Sequence, residues 1–506
     1  MKRTNITGLL SMAVAAVFIV TAGMFCPQPA QAEPDMTDRN IADAIEEELT
    51  FDQAVNENDI DISVSEGVVT LSGSVDNLIT KERAEKISGT VKGVRSVINN
   101  IDVNPYWGRN DREIENDAEQ ALLHDPATET WELDVEVDNN VATIKGTVDS
   151  WQEMKLAEKV VKGVRGVAEI NNEVDIDYDE ERSDVEIKAE IEELFRWDVK
   201  LDGGLIDVRV RDGEVHLSGV VGSSAEKSEA KLKSWVRGVE SVDASDLEVE
   251  KWARDDELRK GKYADKPDRK IEEAIRDAFL YDPRVLSTEI IPDVEMGRVT
   301  LRGTVEDLRT RMAAAEDARN TVGVLSVDNN IKVRPEDGRT DEEIKNAVAA
   351  AIERDPFLER FEIIVTVVNG TVYLGGTVDS YFEKSQAGMK ASATRGVKRV
   401  KNNLEVEEAT SPLSYDPYIF DYYPYEQKWY DYEPSHTYQA DVEIKEEIED
   451  EFFWSPFVDG DDINVEVEDG EAQLTGTVET LSEFNAATEN AYEGGAVWVD
   501  NDLVIQ

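Results

Sequence analysis

The chain has 506 residues, with 54 Lys plus Arg against 110 Asp plus Glu and a formal charge of −56. Such acidity excludes a nucleic-acid binder, which neutralises phosphates with clustered cations, and it opposes docking on anionic lipid except at a local basic patch. A hydrophobic fraction of 40% is too high for a wholly disordered acidic polymer, so packed cores are expected, and length alone allots three or four domains.

Residues 1–32 read as an export signal peptide. Lys2 and Arg3 supply the positive start, Leu9 to Phe25 the apolar run, and Ala30-Gln31-Ala32 a cleavage pattern that leaves Glu33 first. An uncleaved membrane anchor is the alternative, since the run nears the ~17–25 residues that span a bilayer. Cleavage at Ala32 removes Cys26, the one cysteine, so neither disulfides nor thiol chemistry is expected.

Beyond the leader one unit recurs. A turn, an alternating V/A-x-Leu/Ile-x stretch and a glycine come back with the glycine at 73, 146, 219, 303, 376 and 476. An alanine follows 11 residues later each time, from Ala84 to Ala487, and a further glycine at +20 in four copies and +19 in two (Gly238, Gly495). An Asn pair comes next in four copies, as in Asn99-Asn100 and Asn171-Asn172. Repeats three and six lack the full pair and carry the one-residue deletion, so they are the weakest copies.

Each unit predicts the order αββαβ. The first helix has apolar residues at helical spacing (Ile41, Ala44, Ile45, Leu49). The first strand alternates (Ile60, Ile62, Val64), and the second puts Val69, Leu71, Gly73 and Val75 on one face. An interior strand glycine implies a close backbone, here expected to be an overlying helix. The second helix is expected to end at Gly93 as its C-cap, and the last strand to run from Val94 to Val103. The fold class is therefore α+β, six tandem units, each a small three-stranded sheet with two helices on one face. About 70 residues is close to the lower limit for independent stability, so neighbouring units are expected to support one another.

In chain order the expected boundaries are 36–104, 110–178 and 182–250 for repeats one to three. A basic linker at 251–266 follows, then repeats four (267–334) and five (340–408), a Tyr/Pro-rich linker (411–438) and repeat six (440–506). Between repeats two and three, Asp175, Asp177, Asp179 and Glu186 have an EF-hand-like spacing, but Glu180 stands where the sharp turn needs glycine, so specific calcium binding is not expected. Loose divalent-cation binding by the acidic surface is the better expectation.

The stretch 251–270 holds eight cations against five acids. Arg259, Lys260, Lys262 and Lys266 form its candidate contact for an anionic lipid or an acidic face of another repeat; a solvated connector with local ion pairs is the simpler reading. A second basic run, Lys390 to Lys401, closes the second helix of repeat five and reads as compensation of the helix dipole. The 411–438 linker holds eight of the fifteen tyrosines. Tyr422, Tyr423, Tyr425, Trp429 and Tyr430 are its candidate partner contacts, either adhesive or packed as a strap across the repeats.

The three histidines, His124, His216 and His436, show no zinc spacing, and neither a phosphate loop nor a nucleophile elbow is present. No catalytic, cofactor-binding or metal residue is predicted, and a carboxylate-pair hydrolase is not supported.

The G-x-V-x-L-x-G-x-V hairpin, the Ala at +11, the Gly-Val near +20 and the following Asn resemble the BON domain of bacterial envelope proteins, as in OsmY-like osmotically inducible periplasmic proteins. The resemblance covers most of residues 36–506. It implies a periplasmic, non-enzymatic protein of osmotic or envelope stress that contacts phospholipid or holds unfolded protein in a chaperone-like way. The alternative is a structural or adhesive protein that grips an envelope polymer through its aromatic linker. Acidity that keeps the surface hydrated in brine is a further reading, compatible with the first. Partner and oligomeric state are not fixed by the residues.

Overall fold

A computed structural model describes residues 36–505, except 53, 56–58, 106–107, 129–131, 179–181, 251–252, 254–261, 264–265, 286–288, 336–337 and 408–439. The leader and the tyrosine-rich linker therefore lie outside the described residues. The described residues, from Met36 onward, belong to one compact unit.

The repeat is αββαβ in all six copies. The first helices are α1 (Asp38–Phe51), α3 (Asp111–His124), α5 (Asp184–Trp197), α7 (Asp268–Tyr281), α9 (Asp341–Arg354) and α11 (Asp441–Trp454). The second helices are α2 (Leu78–Thr90), α4 (Trp151–Lys162), α6 (Ser224–Lys233), α8 (Leu308–Arg319), α10 (Tyr381–Ser392) and α12 (Leu481–Glu493). In repeat one, β1 (Ile60–Ser65) pairs antiparallel with the central β2 (Val68–Val75), and β3 (Ser96–Val103) pairs parallel on its other side. The parallel pair needs a crossover, which the second helix supplies.

Each sheet buries its alternating residues against its two helices. Ile41, Ile45 and Leu49 of α1 meet Val69 and Leu71 of β2, and Ala84 and Ile87 of α2. The alanine at +11 is fully buried in every copy, which lets the second helix lie close on the sheet.

Three local devices fix the unit. The strand glycine has positive φ, +127° at Gly73, and a Cβ there would collide with the Asp59 carbonyl at the start of the paired strand. This corrects the expectation of an overlying helix: the backbone that comes close is the neighbouring strand's own. The +20 glycine is also not a helix cap. It lies in the turn beyond the helix with φ +92° at Gly93, and a Cβ there would press on Ile41 of α1.

The third device was missed by the sequence reading. An Asp exactly 35 residues before each strand glycine opens every first helix and accepts two backbone N–H groups of the hairpin turn. Asp341 takes them from Asn369 at 2.8 Å and Gly370 at 2.9 Å, and Asp38, Asp111, Asp184, Asp268 and Asp441 do the same. These bonds hold Asp38 below the usual carboxylate range. Asp341→Ala is expected to speed amide exchange at Asn369 and Gly370 about tenfold while the Asp111 turn stays slow. Equal exchange in variant and parent, read residue by residue by NMR, would show that the latch is idle.

One Asn of each pair matters. Asn99, Asn329, Asn402 and Asn501 donate to a second-helix carbonyl (Asn99 to Lys81 at 2.9 Å), and Asn172 donates to the Glu158 carboxylate. Repeat three has Ala244 there, and its strand register slips between His216 and Ser218.

Candidate functional site: the junctions between repeats and the cavity they line

The ends of the first helices carry orphan carbonyls, and the repeats use them on one another. Four N–H groups, each 19 residues after a strand glycine, donate to the last residue of a first helix in a different repeat. Lys92 donates to Trp454 (3.1 Å), Arg165 to Arg354 (2.8 Å), Val322 to Trp197 (2.8 Å) and Arg395 to His124 (3.3 Å). The pairs are repeats one with six, two with five, and three with four. The two-with-five pair is reciprocal, each partner donating and accepting, as two-fold related surfaces must.

The four donors are the copies with the full-length turn. Repeats three and six, with the shortened turn, contribute differently: each ends its first helix in tryptophan. Trp454 joins the core of repeat one, and Trp197 packs on the core of repeat four. The deletion and the tryptophan are thus two sides of one specialisation, which turns a symmetric contact into an anchored one.

Beside each of these helix ends sits a second residue that went unread, 21 residues before the strand glycine. Asp52, Asp125, Asp198, Asp282 and Asp355 cap the first helices, with Ser455 in repeat six. Each accepts the N–H two residues on, as Asp355 does from Phe357 at 2.9 Å. Each Asp also meets a cation: Arg83 on Asp52, Lys233 on Asp198 (3.0 Å), Arg284 on Asp282 (2.7 Å) and Lys390 on Asp355 (3.0 Å). Asp125 takes its cation, Arg309, from repeat four. Burial works against ionisation of Asp198 and Asp282, but Lys233 and Arg284 respectively outweigh it and hold both below the usual range.

Further contacts cross between repeats. Trp151 stacks on Trp235 with centroids 5.1 Å apart, joining repeats two and three. Arg83 lies over the Phe382 ring, joining one and five. Lys162 pairs with Glu82, and Arg165 with Glu359.

The one-with-six junction has an opposite character. Burial, then the carboxylates of Glu48, Glu493, Glu47 and Asp450, push Glu451 well above the usual range. Glu47 and Asp450 are raised too, each by burial first. A carboxyl raised in the folded state stabilises most below its unfolded pKa, ~4.3, and that contribution is lost as pH rises through the folded value. Docking of repeat six is therefore expected to loosen from pH 5 to pH 8. Limited proteolysis at the two pH values, corrected for protease activity, reads it: the parent releases repeat six faster at pH 8, and Glu451→Gln flattens the difference. A parent with no pH dependence would remove this role for Glu451.

Repeats one to five line a half-open cavity of about 1660 Å³. Among the described residues, no group of His, Cys, Asp and Glu is placed to hold a metal ion, and no helix is long and apolar enough to cross a membrane. Glu186 of the EF-hand-like run closes a capping box with Ser183, and Asp179 lies outside the described residues.

Of the residues singled out by sequence, Lys262 donates to the Asp198 carbonyl at 2.5 Å, and its neighbour Tyr263 donates to Val199. Lys266 lies half-buried beside the turn at Gly323. Lys262 thus reaches the end of α5 in repeat three, while Lys266 packs on the turn of repeat four, which it immediately precedes. Arg259, Lys260, Tyr422, Tyr423, Tyr425, Trp429 and Tyr430 lie outside the described residues. In the second basic run, Lys390 pairs with Asp355 and donates to the Gly163 carbonyl of repeat two, so it serves a junction as well as a helix end.

Comparison with known proteins bears on these same units. The model of the BON domain family matches residues 37–105, 110–178, 183–251, 267–335, 340–408 and 440–506. Osmotically-inducible protein Y of Escherichia coli (strain K12) is 29% identical over 147 residues, which is 28% of this chain and 72% of that protein. Two solved structures of CdsD, a structural protein of the Type III secretion system of Chlamydia trachomatis, match at 14% and 15% identity. They cover 41% and 42% of this chain and 91% and 98% of theirs, each with a TM-score of 0.12. With six matched segments that take up most of its length, each folded as αββαβ, the chain belongs to the BON domain family.

Proposed function

We propose that this chain is an exported, non-enzymatic protein of the bacterial envelope that protects against osmotic or envelope stress by contacting phospholipid or holding unfolded protein. The observation that carries the reading is the relation to Osmotically-inducible protein Y across two BON units' length of sequence, together with six BON units in one chain. The leader-like residues 1–32 support export to the periplasm. The junctions add a physical reason for six copies: small domains that bury one another's helix ends gain stability that none has alone.

The test has two arms. Purified protein is mixed with an aggregating client, and separately with vesicles of phosphatidylglycerol. Suppressed aggregation or co-sedimentation supports the reading, and failure in both sinks it. A second reading, adhesion through 411–438, is favoured by the eight tyrosines in that segment. A pull-down from envelope extract with and without 411–438 separates the two: equal capture by both forms counts against adhesion.

A further inference from the structure

The sheet of every repeat ends in an open edge. The first strand pairs with the central strand on one side, and among the described residues no strand pairs with its other side. Such an edge offers unpaired N–H and C=O groups to any extended chain, and proteins block it with charged side chains or proline. The residue 10 before the strand glycine sits in the first strand and points away from the core. It is Glu136, Arg209, Asp293 and Glu466 in repeats two, three, four and six. Repeat one has Ser63 there, with Asp61 two residues before it.

Repeat five is the exception. Its first strand, Ile364–Val368, reads Ile-Val-Thr-Val-Val and holds neither a charge nor a proline. Ile364 and Val368 are 62% and 50% exposed on its outer face, with Thr366 exposed between them. Val365 and Val367 face the core of the repeat. The third strand of this sheet (Arg399–Val406) adds Arg399 and Lys401 to the outer face, with Glu405 at its far end, and Lys401 lies 5.4 Å from the Tyr373 ring centroid. The face that carries Asp134, Glu136 and Asp138 in repeat two is thus apolar and basic here.

The hairpin fixes which backbone groups face the open side. Asn369 and Gly370 both have positive φ, +53° and +74°, and form a two-residue turn closed by Val368 and Thr371. The closing pair exchanges backbone hydrogen bonds, and bonded pairs then alternate along the hairpin. Thr366 and Ile364 therefore bond inward, toward Tyr373 and Gly375. Val365 and Val367 turn their N–H and C=O groups to the open side.

We propose that this edge pairs with the same edge of a second copy of the chain, the two strands running antiparallel about a two-fold axis at Thr366. The strand is its own complement in that register. Val365 of each copy exchanges hydrogen bonds with Val367 of the other, so the open-side groups of both residues are paired. Thr366 meets Thr366, and Ile364 meets Val368, at the non-bonded positions where side chains come closest. In repeats two, three, four and six the same axis would set a charge against its own copy, at Glu136, Arg209, Asp293 or Glu466. A register that suits the strand's own sequence favours a second copy over an unrelated extended peptide. A five-residue edge falls short of the ~1,200–2,000 Å² that stable interfaces bury, so the dimer is weak. Each copy carries −56, and salt strengthens the dimer by screening that repulsion.

Cross-linking reads the register directly. The full chain has one cysteine, so Cys26→Ser combined with Thr366→Cys leaves a thiol at the axis only. Residues opposite each other at such a pair are ~4.5 Å apart at Cα, within disulfide reach. The expected result is a disulfide dimer from Thr366→Cys under mild oxidation. Ile364→Cys by itself should give none, because its two copies lie ~14 Å apart along the strands, whereas a mixture of Ile364→Cys and Val368→Cys chains should cross-link. Analytical ultracentrifugation of the parent should show a monomer–dimer equilibrium that strengthens from ~50 mM to ~500 mM NaCl. Thr366→Lys, an outward substitution, should weaken the dimer by about tenfold or more; the cross-link decides if that variant fails to fold. A parent monomeric at every concentration, no cross-link at 366, or equal cross-linking at 366 and 364 would overturn the proposal. So would a monomeric parent whose Thr366→Lys form loses its hold on an aggregating client, which would give the edge to an extended client segment.

Discussion

Trp454→Ala should lower the stability of the one-with-six junction by about 3–5 kcal/mol, the usual cost of truncating a buried aromatic. Trp454 is 8% exposed and packs into the core of repeat one, although it belongs to repeat six. Phe453 beside it meets it edge to face and carries the Lys92 ammonium 4.5 Å above its ring. The repeat-six core of Ile448, Phe452 and Leu474 does not include Trp454, so the variant should keep that domain folded and undock it. Calorimetry is expected to show a new low-temperature transition, with the two-with-five pair unaffected. A single transition at the parental temperature would mean that repeat six is not held by its tryptophan. Trp197→Ala is the internal parallel and should loosen repeats three and four in the same way.

Arg284→Met should cost a similar ~3–5 kcal/mol, because it strands buried carboxylates rather than deleting a contact. The guanidinium of Arg284 holds Asp282 at 2.7 Å and Glu316 at 3.2 Å. Asp317, raised well above its usual range by burial first and then by Asp282, stands in the same group. Without the cation, these acids repel one another in an enclosed place.

The pH dependence identifies the cause. In the parent, the depressed Asp282 contributes stability that is present above its unfolded pKa, ~3.9, and is lost as pH falls through its folded value. In the variant, Asp282 should be raised as well, so on acidification the variant is expected to gain more stability than the parent, in which the raised Asp317 and Glu451 already contribute. Thermal melts at pH 7.5 and pH 5 make the comparison. An equal loss at both pH values would point to packing instead.

The unit was legible in the sequence because its determinants repeat. The buried alternation of Val69, Leu71 and Val75, and the alanines from Ala84 to Ala487, recur at constant spacing and fall where they were expected. The turn-latching Asp and the capping Asp recur just as faithfully, at −35 and −21. They were overlooked because, among 110 acidic residues, an aspartate attracts no notice. Their fixed offset was the available signal.

The junctions were less legible for a different reason. Periodicity reports what repeats share, whereas pairing depends on what they do not: a shortened turn before Gly238 and Gly495, and tryptophans at 197 and 454. Those departures looked like decay of the pattern and are the places where one repeat grips another. Nothing in the spacing says that repeat one meets repeat six. That follows only from which surfaces fit in three dimensions, and the basic residues Lys262 and Lys390 turned inward for the same reason.

The acidity also acquires a location. Fifteen Lys and Arg line the cavity against fourteen Asp and Glu, so the charge excess falls on the rest of the chain, where screening by salt relieves it. Stability should therefore not peak at low ionic strength.

Amide hydrogen exchange at Lys92, Arg165, Val322 and Arg395 tests the central claim, that six BON units form one body by capping one another's first helices. All four turn amides should exchange slowly, and removing residues 440–506 should make Lys92 fast while Arg165, Val322 and Arg395 stay slow. Four amides that exchange like open turns in the intact chain would contradict it and leave six independent domains on a string.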